Sequence, residues 1–383
     1  MCTIGHLDEP TIGLLLTGDL ILDEPNPDSF FDLVRPTLLK TDVVVGHVEV
    51  PHTRRGTESS RDVPAPPASP AHLHALGRAG FHVATLAGNH IFDSGPNGVE
   101  DTINELRAQG LVTTGAGANL QAARQPALAC RKGKRIGFLS YNCVGPADSW
   151  ASASKSGCAY VEVITHYELG YATPGGPPKR VLTFAEPETS EQMQCDVEKL
   201  RADVDILVVA LHKGLGHTPA RLASYERPLA KACIDAGADV VVGHHGHILQ
   251  GVEIYRSKPI FHGLGNFVTV TRALNLEANA SPARAEWAQR RRELFGFEPD
   301  PNYPLYPFHP EAKNAMVADI RIGVSGQLEA GFRPCWIRPS GQPEILEHDE
   351  RGVAVAAYIE KITRACKLRA NFHWTGNRVV FDS

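Results

Sequence analysis

Short apolar runs typical of buried strands alternate with amphipathic helices along most of this chain, and this alternation limits the fold more than any other feature. The run Val204–Leu211 is almost continuously apolar, as expected for a parallel strand covered on both faces. A helix predicted from about residue 96 to 109 places Val99, Ile103 and Leu106 on one face. The pattern predicts an α/β fold, in which two packed sheets are flanked by helices.

The composition supports a folded chain with a sizeable core. The 383 residues are 43% hydrophobic and 21% charged, which excludes a disordered chain. The formal net charge is −5, so bulk charge indicates neither a nucleic-acid partner nor an anionic membrane. The first apolar stretch, Thr11–Leu16, is too short for a signal sequence or a membrane span. We therefore expect a cytoplasmic protein with one domain over residues 1–383.

Residues 275–312 interrupt the alternation and are predicted to form an insertion or a lid. An arginine-rich helix, Pro282–Leu294, precedes a loop rich in proline and aromatic residues, Glu298–Pro310. The run Arg290–Arg292 favours a solvated helix face, with a clamp for a substrate phosphate as the alternative. His309 in the aromatic loop is a candidate proton-transfer group.

Polar side chains that bind metals or form hydrogen bonds stand at or just after the ends of six predicted strands. They are Asp19 after a strand over Ile12–Thr17, then Glu49, Asn89 with His90, His212, His245 with His247, and Asn266. In α/β sheets, ligands bind at the carboxyl ends of strands. His245 and His247 are the strongest pair, because Gly246 between them lets the backbone and an ion approach closely. Oxygen and imidazole ligands together predict a Mn, Fe, Zn or Mg-type centre.

This ordered set of residues resembles the motifs of the metal-dependent phosphatase superfamily and, within it, the bacterial capsule-synthesis (CapA-like, poly-γ-glutamate) family. Supporting stretches are Asn89–Gly95, Asp235–Asp239 and Gly263–Phe267, and the resemblance covers about residues 12–270. It implies a two-sheet αββα fold with the site at the strand ends. It also implies one or two divalent ions, with Mn, Fe, Zn, Mg and Ca as candidates.

The resemblance further implies a role for each matching residue. The implied metal ligands are Glu49 as a bridge between two ions, Asp19 and His247 on one ion, and Asn89, His212 and His245 on the other. His90 would be an acid or base beside the metals, and Asp93 would be its hydrogen-bond partner. Such a pair of ions lowers the pKa of a bridging water and binds an anionic substrate.

Two positions depart from the family pattern. Ile21 stands where the superfamily usually carries a histidine, so the ion beside Asp19 would lose an imidazole. His47 stands where the capsule family tends to carry asparagine, and on a strand it faces the same side as Glu49. His47 is therefore a candidate replacement ligand, or a group that orients the substrate.

Three further side chains are candidates for binding the substrate. Arg54 and Arg55 lie on the loop after Glu49, where guanidinium groups suit a carboxylate or a phosphate. Asn266 lies in a glycine turn, and the resemblance places it near the site. These candidates predict a small-molecule or peptide substrate with an anionic group.

Three functions remain open on these residues. The motifs favour a metal-dependent hydrolase, in which a metal-bound hydroxide attacks a phosphoester or an amide and His90 protonates the leaving group. The capsule-like branch is also similar to enzymes that epimerise lasso peptides, in which a Cα proton is removed and returned. The extra histidines His47 and His309 favour that second function. The third is a non-catalytic role in capsule or poly-γ-glutamate synthesis.

Overall fold

The structure is a computed structural model that describes residues 11–59, 63, 65–170, 178–272 and 282–383, without the side chains of residues 283 and 284. The α-helices are α1 Arg35–Leu39, α2 His74–Ala79, α3 Gly95–Ala108, α4 Leu120–Ala123, α5 Pro187–Arg201, α6 Glu226–Asp235, α7 Pro282–Phe295 and α8 Glu350–Ala365. The first ten strands are β1 Ile12–Leu22, β2 Val43–Val48, β3 Val83–Thr85, β4 Val112–Thr114, β5 Ala116–Gly117, β6 Ala127–Arg131, β7 Lys134–Asn142, β8 Gly157–Cys158, β9 Val163–Glu168 and β10 Arg180–Ala185. The others are β11 Ile206–Lys213, β12 Val240–His245, β13 Val252–Tyr255, β14 Lys258–Phe261, β15 Asn266–Val270, β16 Asn314–Ile322, β17 Leu328–Ile337, β18 Pro343–Ile345, β19 Asn371–Thr375 and β20 Arg378–Asp382.

Two large sheets carry the strands that lead to the predicted site. Among the described residues, the larger sheet has the order β19-β20-β17-β16-β1-β2-β3-β4, with β15 beside β1 and β18 beside β17. The smaller has the order β13-β14-β12-β11-β7-β6. Strand β1 is parallel to β2 and β15, and β11 is parallel to β12. The carboxyl ends of these strands therefore meet at one edge of each sheet.

The two sheets pack face to face, and helices cover their outer faces. Ile206 and Val208 of β11 lie in the same core as Leu14 of β1, between the sheets. The intervening Leu207 and Val209 lie in a second core with residues of α5 and α6. This burial on both faces explains the continuous apolar run of β11. The predicted α/β architecture of two packed sheets flanked by helices is confirmed.

The first strand is longer than predicted. It does not end before Gly18 but continues to Leu22. Its register shifts on either side of Asp19, against β2 and against β15. A Cβ atom at Gly18 would lie 2.1 Å from the carbonyl oxygen of Gly265, so only glycine lets the two segments approach this closely. Asp19 consequently lies inside an irregular strand and not in a turn.

The predicted insertion is described only in part, because residues 273–281 lie outside the described residues. Helix α7 matches the predicted arginine-rich helix to within one residue at its end. Arg290 and Arg292 are exposed, as expected for a solvated helix face. Arg291 is only 3% exposed, so that expectation is wrong for the middle arginine. The reason is that three consecutive helical residues point in different directions, and one of them faces the protein.

Candidate metal centre

Asp19 lies at the middle of the site, where the two sheets meet. In the register of the larger sheet it is opposite His47 of β2 and Asn266 of β15. Its side chain is buried, and its Oδ1 lies 3.0 Å from Nδ1 of His244 in the smaller sheet. The backbone N–H of His245 donates to its Oδ2 over 3.3 Å. This carboxylate therefore connects β1 to β12.

A first group of metal-ligating atoms is formed by Asp19, Glu49 and His247, one atom of each lying within 4.8 Å of the others. His247 Nε2 is 3.2 Å from Glu49 Oε1, and its Nδ1 is 3.6 Å from Asp19 Oδ2. The same Nδ1 is 2.9 Å from Oδ1 of Asn266, whose Nδ2 donates to the hydroxyl of Tyr306 over 2.8 Å. Asn266 thus holds the imidazole between the two carboxylates.

A second group joins Asp19 to His47 and His212, again with one atom of each within 4.8 Å of the others. His47 Nδ1 lies 3.1 Å from the hydroxyl of Thr85, and His212 Nε2 lies 2.8 Å from Oδ1 of Asn89. The remaining nitrogens, His47 Nε2 and His212 Nδ1, are buried and have no hydrogen-bond partner among the described residues. Each ring therefore has one nitrogen in a hydrogen bond and one nitrogen that could ligate a metal.

His245 completes the cluster of imidazoles at the end of β12. Its ring centroid is 4.8 Å from that of His212, with the planes at 60°. The backbone is left-handed at His245, with φ of 86°, and at His247, with φ of 49°. Left-handed backbone is uncommon for residues with side chains, and strain of this kind clusters at functional sites.

The carboxylate of Glu49 shows that the donor set fits a cation. Its side chain is 0% exposed. Apart from the approach of His247 Nε2, neither of its oxygens has a hydrogen-bond partner in the described part of the chain. A buried carboxylate without a partner is costly, and a divalent cation would offset that cost. Carboxylate and imidazole ligands together suit Zn, Mn or Fe.

Burial controls the protonation of the histidines. It lowers the pKa of His47 to about 3, with a further contribution from the charge of His244. It lowers the pKa of His212 well below the ordinary value, with His47 adding to the effect. Burial would also lower the pKa of His247, but the carboxylate of Glu49 overcomes it and raises this pKa to about 9. Neutral imidazole is the form that ligates a metal, so His47 and His212 are in the required form at neutral pH.

His90 and Asp93 form a buried pair at the wall of a cavity beside these groups. His90 Nδ1 is 2.6 Å from Asp93 Oδ2, and the two side chains are 7% and 6% exposed. Glu49, Asn89 and His245 line the same cavity as His90. The fold therefore brings the predicted acid or base to the predicted ligands, with its Nδ1 held by Asp93.

His217, in the loop after β11, also lines this cavity. Its ring centroid lies 5.6 Å from that of His247 and 5.0 Å from that of Phe295. Its backbone N–H donates to the carbonyl of Gly246 over 2.8 Å, with a left-handed φ of 52°. Since His217 lies in an irregular loop, only the fold brings it to the cavity.

Three residues predicted at the site lie elsewhere. Arg54 and Arg55 are exposed and line a separate surface pocket, where the guanidinium of Arg55 pairs with Asp101. His309 is not among the described residues that line the cavity. Its Nδ1 accepts a hydrogen bond from the backbone N–H of Glu311 over 3.1 Å and so caps a short 3-10 helix. The two arginines and His309 therefore do not line the cavity, and their predicted roles at the site stay predictions.

Comparison with known proteins identifies the family. The model of the bacterial capsule synthesis protein family PGA_cap matches residues 13–271. The chain belongs to this family. The matched residues run from β1 to just past β15, so the PGA_cap region holds both groups of candidate ligands. The predicted resemblance to the capsule-synthesis family is confirmed.

Two proteins from bacilli are similar to this chain. The PGA biosynthesis protein CapA of Bacillus subtilis (strain 168) is 31% identical over 268 residues, which are 67% of this chain and 62% of that protein. The capsule biosynthesis protein CapA of Bacillus anthracis is 26% identical over 276 residues, which are 69% of this chain and 61% of that protein. The chain thus spans about three fifths of the length of these PGA_cap relatives.

Among solved structures, the calcineurin-like phosphoesterase YfkN from Bacillus subtilis has 12% sequence identity and a TM-score of 0.39. The likeness covers 94% of this chain and 99% of the YfkN chain. In the described part of this PGA_cap member, no helix has the length and apolar character needed to cross a membrane.

Proposed function

We propose that this PGA_cap member is a metal-dependent hydrolase that cleaves a phosphoester or an amide bond at the candidate metal centre. The observation that carries the proposal is the buried carboxylate of Glu49, whose group of ligand atoms (with Asp19 and His247) shares Asp19 with a second group, Asp19, His47 and His212. A bound divalent cation would lower the pKa of a water molecule and would bind an anionic group of the substrate. The proposed substrate is a small molecule or a peptide with such a group, in line with the relatives named for PGA biosynthesis.

In this proposal the two groups of atoms hold the cations. Asp19 and His247 hold one, and Glu49, which lies in the same group of atoms, is the proposed bridge to the other. His212 holds the other, together with Asn89 and His245. His47 supplies the imidazole that position 21 lacks, since Asp19, His47 and His212 offer ligand atoms within 4.8 Å of one another.

His90 is the proposed proton donor to the leaving group. Asp93 accepts a hydrogen bond from Nδ1–H of His90, fixes the ring and stabilises its protonated form. This leaves Nε2 as the atom that donates a proton to a substrate in the cavity. Loss of a positioned acid of this kind typically lowers a rate by about 10²- to 10⁴-fold.

The test measures the metal content of the purified protein and its cleavage of an aryl phosphate and an anionic aryl amide. We expect the purified protein to contain a divalent metal and to cleave at least one of the two substrates. His90→Ala should lower the rate by about 10²- to 10⁴-fold. The control is His74→Ala, because His74 makes a similar contact of 2.6 Å with Glu105 away from the cavity. A metal-containing wild type that cleaves neither substrate, or equal rates for His90→Ala and wild type, would count against the proposal.

Exchange of a carbon-bound proton is the second candidate function. The observation that favours it is that His90 and His217, neither of them a proposed ligand, line one cavity. A peptide substrate incubated in deuterated water separates the two reactions. Gain of one mass unit without cleavage would support epimerisation and contradict hydrolysis, whereas cleavage without exchange is the result that we expect.

A further inference from the structure

The cavity beside the candidate metal centre has a largely apolar wall. It has a volume of about 150 Å³. Its apolar lining includes Ile21, Val50, Trp287, Phe295 and Phe308. Three of these are aromatic, and two, Trp287 and Phe295, come from helix α7. These side chains offer no hydrogen-bonding partner to water or to a charged group, so they favour an apolar ligand.

The size of the cavity limits what the apolar wall can accept. An apolar protein cavity of roughly 150 Å³ holds a benzene molecule. A group of about one aromatic ring therefore fits here. The apolar part of the wall offers no polar partner, so a charged group placed against that part would lose hydration without compensation.

Arg291 adds a buried positive charge to this wall. It is 3% exposed and lines the cavity, whereas its neighbours Arg290 and Arg292 are exposed. Its Nη1 donates to the carbonyl of Pro307 over 3.4 Å, and its guanidinium lies 5.8 Å from the centroid of the Phe297 ring. Since a buried guanidinium suits a carboxylate or a phosphate, Arg291 gives the apolar cavity an anion-binding side.

Trp287 supplies a second polar feature of the same wall. The residue is 8% exposed. Its indole N–H is buried and finds no acceptor among the described residues. A buried donor of this kind normally has a partner, and a ligand oxygen beside the ring would provide one.

We propose that this cavity is a substrate subsite that takes an apolar group of about one aromatic ring, with an adjacent anionic group bound by Arg291. The inference rests on the proposed function, because the substrate must reach the candidate metal centre with its reacting bond. It makes the proposed substrate more specific: an aryl or similarly sized apolar group carried next to an anion.

The experiment compares the binding of phenylphosphonate and methylphosphonate to the purified, metal-loaded protein by titration calorimetry. Both probes carry the same anion, and only one carries a ring. We expect phenylphosphonate to bind at least tenfold more tightly. Trp287→Leu should reduce that preference at least threefold, and Arg291→Gln should weaken both probes by about the same factor. Arg290→Gln, an exposed neighbour on the same helix, is the matched control and should change neither affinity.

Equal affinity of the wild type for the two probes would overturn the inference. So would unchanged affinities in both Trp287→Leu and Arg291→Gln. If Trp287→Leu does not fold, Phe308→Leu replaces it on the same wall with the same expectation. Because binding is measured without turnover, a protein that prefers phenylphosphonate but cleaves no substrate would fail the proposed hydrolysis and still support the subsite.

Discussion

Two buried carboxylates on the larger sheet have opposite surroundings. Asp319 of β16 is 1% exposed and accepts hydrogen bonds from Nε of Arg321 over 3.0 Å and from Nε of Arg333 over 2.8 Å. Glu49 after β2 is equally buried, but its nearest partner is the imidazole of His247. A guanidinium keeps its charge at all ordinary pH values, so Asp319 is neutralised within the chain. Glu49 instead lies where an external cation would complete its surroundings.

The side chains around each carboxylate explain this difference. Arginine donates but never accepts a hydrogen bond, so the two guanidinium groups beside Asp319 have no lone pair that could bind a cation. A neutral histidine keeps a lone pair that a cation can bind. The pKa of His247 is raised to about 9 by Glu49 in spite of burial, so a proton on this ring takes the place that a cation would fill. Pairing with arginines thus makes Asp319 a structural carboxylate, whereas Glu49 is a proposed ligand.

The largest expected effect is on stability at Asp319. Asp319→Asn leaves the guanidinium groups of Arg321 and Arg333 beside a neutral amide. Breaking a buried ion pair from one side typically costs about 3–5 kcal/mol, so the free energy of unfolding should fall by that amount. Urea denaturation of the metal-loaded protein at neutral pH measures it. A loss below about 1 kcal/mol would show that Asp319 is no better paired than a surface carboxylate.

The second effect is on metal binding at Glu49. Glu49→Gln removes a carboxylate ligand but keeps its volume, so we expect metal affinity to fall at least 100-fold, the upper end of the loss seen when only a supporting residue is changed. In the presence of a chelator at about pH 10, where His247 has lost its proton and no longer forms an ion pair with Glu49, the free energy of unfolding should change by no more than about 1 kcal/mol. Competition with a metallochromic chelator measures the affinity.

Asp319→Asn and Glu49→Gln serve as controls for each other. Asp319→Asn should lose stability and keep its metal, whereas Glu49→Gln should lose its metal and keep its stability without metal. If both variants lose the same property, the contrast between a structural carboxylate and a ligand carboxylate is wrong.

The third effect concerns the imidazole that is absent at position 21. His47→Asn should lower metal affinity about 10- to 100-fold if His47 is a ligand, because His47 Nε2 is then lost beside Asp19. Adding Ile21→His to this variant should restore part of the metal affinity, since Ile21 lines the cavity beside the candidate metal centre. The control is Thr85→Val, which removes the 3.1 Å contact to Nδ1 of His47 and the 3.4 Å hydrogen bond from the same hydroxyl to the carbonyl of Gly46, and should have the smaller effect. Unchanged metal affinity in His47→Asn would leave that residue without a ligand role.

Much of the site could be predicted because it depends on strand order. Glu49 directly follows β2, His212 follows the apolar run of β11, and parallel strands bring such ends to one edge. The contact between Asn89 and His212 joins the larger sheet to the smaller one across 123 positions of the chain. The positions of the strand ends in the sequence are therefore enough to predict that these side chains lie close together, without knowledge of how the strands pack.

The residues that could not be predicted depend on local backbone geometry. His244 keeps the alternation of β12 and, like Val240 and Val242, faces the larger sheet, where it contacts Asp19. The left-handed φ of 86° at His245 breaks the alternation there, and His245 lines the cavity as well. The sequence Arg290–Arg292 is uniform, so it carries no sign of which arginine is buried. His217 reaches the cavity through an irregular loop with its own left-handed φ of 52°.

The smallest expected effect tests whether burial or the arginine pair sets the strength of the Asp319 interaction. Glu344 of β18 also pairs with two arginines, accepting from Nε of Arg338 over 2.8 Å and from Nη2 of Arg351 over 2.9 Å. Its side chain is 21% exposed, and those of the arginines are 45% and 50% exposed. Hydrogen bonds from the two arginines lower the pKa of Glu344 from 4.5 to about 2.

Because the folded protein holds the pKa of Glu344 below its unfolded value, the stabilisation is fully present above about pH 4.5 and is lost as the pH falls towards 2. Solvent and salt screen the exposed pair, so Glu344→Gln should cost about 0.2–1 kcal/mol at pH 7, far less than Asp319→Asn. The difference from wild type should shrink when 1 M salt is added, and it should also shrink between pH 4.5 and 2. Urea denaturation across this pH series measures both trends. A cost at Glu344 that equals the cost at Asp319 would show that pairing with two arginines, and not burial, sets the strength of the interaction.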